Sequence, residues 1–86
     1  MIAELLETDM SHWPPTTVLV KLSEPFRGYE YLGVSCLDMP GARRTEILPA
    51  DESGAYVDMM ALWVGALMTP SEALAEIGYV AEGGAP

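Results

Sequence analysis

The sequence predicts an α+β domain: a three-stranded antiparallel β-meander packed against two or three short helices. Three observations carry that expectation. Residues 16–22, TTVLVKL, combine β-branched side chains with a two-residue apolar period. The pair Pro40-Gly41 separates two further extended runs, as a hairpin turn does. Thr69-Pro70-Ser71-Glu72 opens a helical run with an N-cap, a proline at the first helical position and a Glu three residues after the cap. Strands that precede helices, rather than alternating with them, indicate the α+β class.

Residues 2–10 place Ile2, Leu5, Leu6 and Met10 on one helical face and Glu4, Glu7 and Asp9 elsewhere, so a short amphipathic helix is expected there, docked on the domain's own core. Pro14-Pro15 ends it, because proline lacks the amide donor and pushes the preceding residue to extended conformations. The first strand runs from Thr16 to Leu22 with Val18, Val20 and Leu22 on the core face. Ser23 to Gly28 reads as a turn-forming linker. Tyr29 to Leu37 is the second strand, with Leu32, Val34 and Cys36 inward and Tyr29, Tyr31 and Ser35 opposite. Pro40 presets the first central residue of a type II turn and Gly41 supplies the positive φ of the second. Arg43 to Leu48 then returns as the third strand, closed by Pro49 and the polar turn Asp51-Glu52-Ser53-Gly54.

In the second half, Asp58 is placed to cap a helix through Met59 to Met68, although Val64 and Gly65 lower helix propensity and leave a strand open for part of it. The last helix, Pro70 to Ile77, is capped by Thr69 and terminated by Gly78, so that Tyr79 packs back near Leu74. Residues 1–80 form one small domain and residues 81–86 a mobile C-terminal tail.

Composition narrows the function. The chain has 86 residues, half of them hydrophobic, with 13 acids against four cations and a net charge of −9. That is too apolar for intrinsic disorder and long enough for one domain. Lys21, Arg27, Arg43 and Arg44 form no basic stripe, which argues against direct binding of nucleic acid or of anionic membranes. The lone Cys36 and the lack of a signal-peptide pattern at the N-terminus point to a cytoplasmic protein. The longest apolar stretch, Met59 to Met68, is about half of the roughly 20 residues that span a bilayer.

No chemistry-bearing constellation emerges. His12, the sole histidine, sits beside Trp13 and a proline pair, where a surface or capping role fits better than that of a base. Cys36 lies mid-strand facing inward, as a small hydrophobe does. The carboxylates are scattered, and the one adjacent pair, Asp51-Glu52, lies in a solvated turn. There is no glycine-rich phosphate loop. Catalytic, cofactor and metal residues are therefore not expected, nor is a small-molecule ligand, and the chain reads as a non-enzyme.

The informative segment is MMALWVGALM, residues 59–68. A helix apolar on every side is buried all round, and a domain this small covers one face more easily than both. Either it is the central core helix, or Met59, Met60, Trp63 and Met68 contribute an interface, since Met is adaptable and Trp is a frequent hot spot. The partner is then another protein or a second copy in a homo-oligomer. Mimicry of DNA by the acidic surface is the sharper alternative, but solubility accounts for the same counts.

The order YEYLGVSCLDMPG, then TEILPADESG, then an Asp-led segment and a helix ending in EALAEIGY is similar to small uncharacterised accessory proteins of tailed phages that infect actinobacteria. The resemblance covers about Tyr29 to Val80 and departs at Met59 to Met68, where those proteins are more polar and glycine-rich. It implies an accessory protein in the cytoplasm of an infected bacterium, acting by protein–protein interaction to bind and modulate a host protein. It supplies no catalytic residue. A self-assembling structural component that uses residues 59–68 as its homo-oligomer interface is the second expectation.

Overall fold

The computed structural model describes residues 1–8, 10, 13–14 and 16–83. Strands β1 (Ile2–Leu6), β2 (Thr17–Phe26), β3 (Tyr29–Met39), β4 (Ala42–Ala50), β5 (Trp63–Gly65) and β6 (Val80–Glu82) form one sheet in the order β5-β4-β3-β2-β1-β6. All neighbours are antiparallel except β1 and β6, which are parallel. Among the described residues there is one helix, α1 (Pro70–Glu76). The expected three-stranded meander with two or three helices is thus corrected to a six-stranded mixed sheet with one short helix. The meander β2-β3-β4 survives as its centre.

Two expected helices are replaced, each for a physical reason. The segment IAELL is too short to hold helix without tertiary support. As β1 it has backbone partners on both sides, pairing Ala3 with Leu22 through Leu6 with Leu19 on β2, and Ile2 to Glu4 with Val80 to Glu82 on β6. Its alternation then sends Ala3 and Leu5 to one face of the sheet and Leu6 to the other. The segment 59–68 does not coil: Asp58 Oδ1 accepts from the amide of Met60 at 3.0 Å, a bond that could open a helix, but Val64 and Gly65 are poor helix formers and the chain pairs with β4 instead. Trp63, Val64 and Gly65 then extend along β4, and the Trp63 ring lies across Gly65, where a Cβ would stand 2.3 Å from the ring.

The linker read at Ser23 to Gly28 is mostly strand. β2 continues to Phe26 through a shift of register between Lys21 and Phe26, and Pro25 falls within that irregular stretch, as prolines in sheets do. The reversal is made by Arg27 and Gly28, with φ of 52° and 87°, the two positive values of a type I′ hairpin. Beyond the bulge, Tyr29 packs on the helix-side core instead of sharing the face of Tyr31. The second hairpin closes at Pro40-Gly41 as its residues require, with φ of 80° at Gly41 and Met39 paired to Ala42.

Both faces of the sheet are covered at its centre. On one, Val20, Leu22, Leu32, Val34 and Ile47 meet Ala73 and Leu74 of α1 and the buried ring of Tyr79. The chain leaves β5 at one edge, crosses this face as α1 and arrives at the opposite edge as β6. On the other face, Trp13 covers Leu19, Leu48 and Ala50. Its ring stacks on Tyr56 with centroids 3.9 Å apart, and its Nε1 donates to the Gly54 carbonyl at 2.6 Å. Two-sided cover explains why Leu32–Ser35 and Ile47–Ala50 are buried as continuous runs.

α1 begins and ends on local signals. Thr69 Oγ1 accepts from the Glu72 amide at 3.2 Å, and the Thr69 amide donates to Glu72 Oε1 at 3.1 Å. At the other end Gly78, with φ of 93°, donates to Ala75 and Tyr79 donates to Leu74, a Schellman closure. The Tyr79 hydroxyl donates to the Glu24 carbonyl at 2.8 Å. Thr69→Ala is expected to lower stability by about 1 kcal/mol, read as a shift of the denaturant midpoint at constant slope. The hydrogen bonds from Thr69 hold the Glu72 carboxyl below its usual range. Its contribution is therefore complete above the unfolded value of about 4.3 and is lost as pH falls through the lower folded value, and Thr69→Ala, which keeps the backbone donor and loses the hydroxyl, should flatten that acid limb in part.

β6 takes Ala81 and Glu82 from the stretch expected as tail, and the Val80 amide donates to the Met1 carbonyl at 2.8 Å. Residues 84–86 of that stretch lie outside the described residues.

Candidate functional site

The surface with the strongest claim is the excursion from β4 to β5. Asp51 begins it: its Oδ1 accepts from the amides of Ser53 at 2.9 Å and Ala55 at 3.0 Å and from the Ser53 hydroxyl at 2.6 Å. Those donors hold its carboxyl below the usual range. Gly54, with φ of 86°, turns the chain and presents its carbonyl to Trp13. Tyr56 bridges to Ala50, and the Val57 amide donates to the Pro49 carbonyl at 3.2 Å. The loop is therefore pinned at its base while residues 57–60 project from it.

The four residues singled out in the sequence part company here. Met59 and Met60 are 74% and 75% exposed. Trp63 and Met68 are half-buried and pack on the helix-side core, as Leu62 does. The structure thus gathers Met59 and Met60 on the loop and assigns Trp63 and Met68 to packing. It adds two residues that composition did not suggest: Val57 is 52% exposed and Val64, on the outermost strand, 55%. The alternation Trp63-Val64-Gly65 was the available signal for Val64, since a strand that buries Trp63 turns its neighbour outward.

Cys36 lines an open groove of about 610 Å³ between the start of α1 and the ends of β2 and β3, with Val18, Leu67, Met68 and Pro70. Its Sγ donates to the Met68 carbonyl at 3.1 Å, and burial pushes the thiol up, which keeps it protonated. Thr16 donates to the Cys36 carbonyl across the same opening. His12 lies outside the described residues. Among the described residues no group of three or more His, Cys, Asp or Glu is placed to hold a metal ion, and no helix is long and apolar enough to cross a membrane.

The chain belongs to a family of unknown function (DUF7572), whose profile matches residues 1–80. No curated protein and no solved structure is significantly similar to it.

Proposed function

We propose that the protein is a non-enzymatic accessory protein that acts by binding another protein through the loop of residues 57–60 and the adjoining strand β5. The exposure of Met59 and Met60 carries this. Four large apolar side chains stand open to solvent within eight residues, Val57, Met59, Met60 and Val64, on a loop whose base is fixed by hydrogen bonds. Scattered apolar residues on a surface need no explanation, but a concentration on a pinned loop is the composition of a protein interface. Methionine adapts to a partner's contour, and a loop already held in place loses little freedom on docking. The similarity to phage accessory proteins supports a host protein as partner, in the cytoplasm of an infected bacterium.

Met60→Ser should change the denaturant midpoint by no more than about 0.5 kcal/mol, because the side chain is three-quarters exposed. Affinity capture from an actinobacterial lysate with the wild type and a Met59→Ser/Met60→Ser variant of equal stability tests the function. A captured protein lost by the variant is expected; one retained by it sinks the assignment. A wild-type oligomer in sedimentation that the variant dissolves would put self-assembly in its place.

A further inference from the structure

We propose that the partner segment seated on this surface is extended, apolar and cationic, and that it docks along the outer edge of β5; this rests on the binding function above. β5 is the last strand of the sheet on its side. Its residues Trp63-Val64-Gly65 include neither the proline nor the charged side chain with which exposed edges are usually protected. An extended segment added there gains backbone hydrogen bonds from the edge and apolar contacts from Val64 and the neighbouring methionines.

Charge selects the occupant. All four cations of the chain lie at or before Arg44, so residues 45–86 carry none. Of the acids around the surface, Glu46 is paired with Arg44 at 3.0 Å, whereas Asp51, Glu52 and Asp58 take part in no ion pair among the described residues. Two cations reach the region, both already engaged: Arg44 on Glu46, the cross-strand neighbour of Val64, and Arg27, whose Nη1 donates to the Leu62 carbonyl at 3.4 Å. A second copy meeting this face about a twofold axis would set Asp51, Glu52 and Asp58 against themselves. A segment bearing Lys or Arg meets them as counterions, and its approach is steered by the net charge of −9.

The experiment is selection from a random peptide display library on the immobilised protein, followed by affinity measurement of the enriched peptides at two salt concentrations. The expected peptides are basic and apolar. They should lose about tenfold in affinity on Met59→Ser/Met60→Ser and a similar amount on Glu52→Gln/Asp58→Asn, with a shallower salt dependence in the second pair. Asn at 58 keeps the acceptor for the Met60 amide, so a loss there reports charge. Enriched peptides that are neutral or acidic and still need Met59 and Met60 overturn the cationic partner while leaving the binding function intact. Basic peptides that bind the methionine variant undiminished overturn the docking site, because diffuse acidity then suffices. No enrichment at all overturns both.

Discussion

Trp13→Ala is expected to cost about 3 to 5 kcal/mol, most of the stability available to a domain of this size. The ring is 6% exposed and is the chief cover for Leu19, Leu48 and Ala50 on the face of the sheet opposite α1. Its removal opens a cavity, unstacks Tyr56 and takes the Trp13 Nε1 donor from the Gly54 carbonyl. Trp13→Phe separates these contributions. It keeps an aromatic ring beside Tyr56 while losing the donor and part of the indole's volume, so a deficit of about 2 kcal/mol, smaller than that of alanine, is expected. Denaturant midpoints for the three proteins decide the matter, and an alanine variant as stable as the wild type would mean that the ring does not pack where it is placed.

Gly33→Ala should be nearly as damaging, although it adds one methyl group to a strand. A Cβ at Gly33 would lie 2.3 Å from Cη2 and 2.4 Å from Cζ3 of Trp13. The ring cannot easily retreat, since it is fixed by the hydrogen bond to Gly54 and the stack on Tyr56. Overpacking of this kind costs about 1 to 3 kcal/mol, and the pinned ring puts it at the upper end. The sign should change when the ring is gone. In a Trp13→Leu background, which retains apolar cover, the same substitution has room, and alanine outperforms glycine in a strand interior by about 0.5 to 1 kcal/mol. A double-mutant cycle that gives additive effects would show that Gly33 and Trp13 are not in contact.

This pair also shows what the sequence disclosed and what it withheld. The three central strands and α1 were legible because their signals are local: Val18, Val20 and Leu22 alternate, Pro40-Gly41 turns, and Thr69 lies three residues before Glu72. β1 was not, because Ile2 to Leu6 satisfies a helical and an extended pattern alike over five residues, and its choice depends on Val80 to Glu82 at the far end of the chain. Trp13 gave no sign of its role, but Gly33 did: a glycine amid YLGVSCL marks a close approach by something bulky. The same sign stood at Gly65, beneath Trp63. Composition could not separate Met59 and Met60 from Trp63 and Met68, because the pairing of Trp63 to Gly65 with β4, a long-range contact, decides which of them reach the core.

The parallel pairing of β1 with β6 has a consequence for biogenesis. Residues 2–4 are synthesised well before residues 80–82 and wait for them, with β2 to β5 and α1 made in between. Until then β1 can lie on β2 but offers its outer edge, Ile2 included, to its surroundings, because contacts so distant in sequence close late. A nascent chain halted after α1 should therefore aggregate or recruit chaperones more readily than one released past Glu82. The strand that covers this edge of β1 is also the one that ends its period of risk.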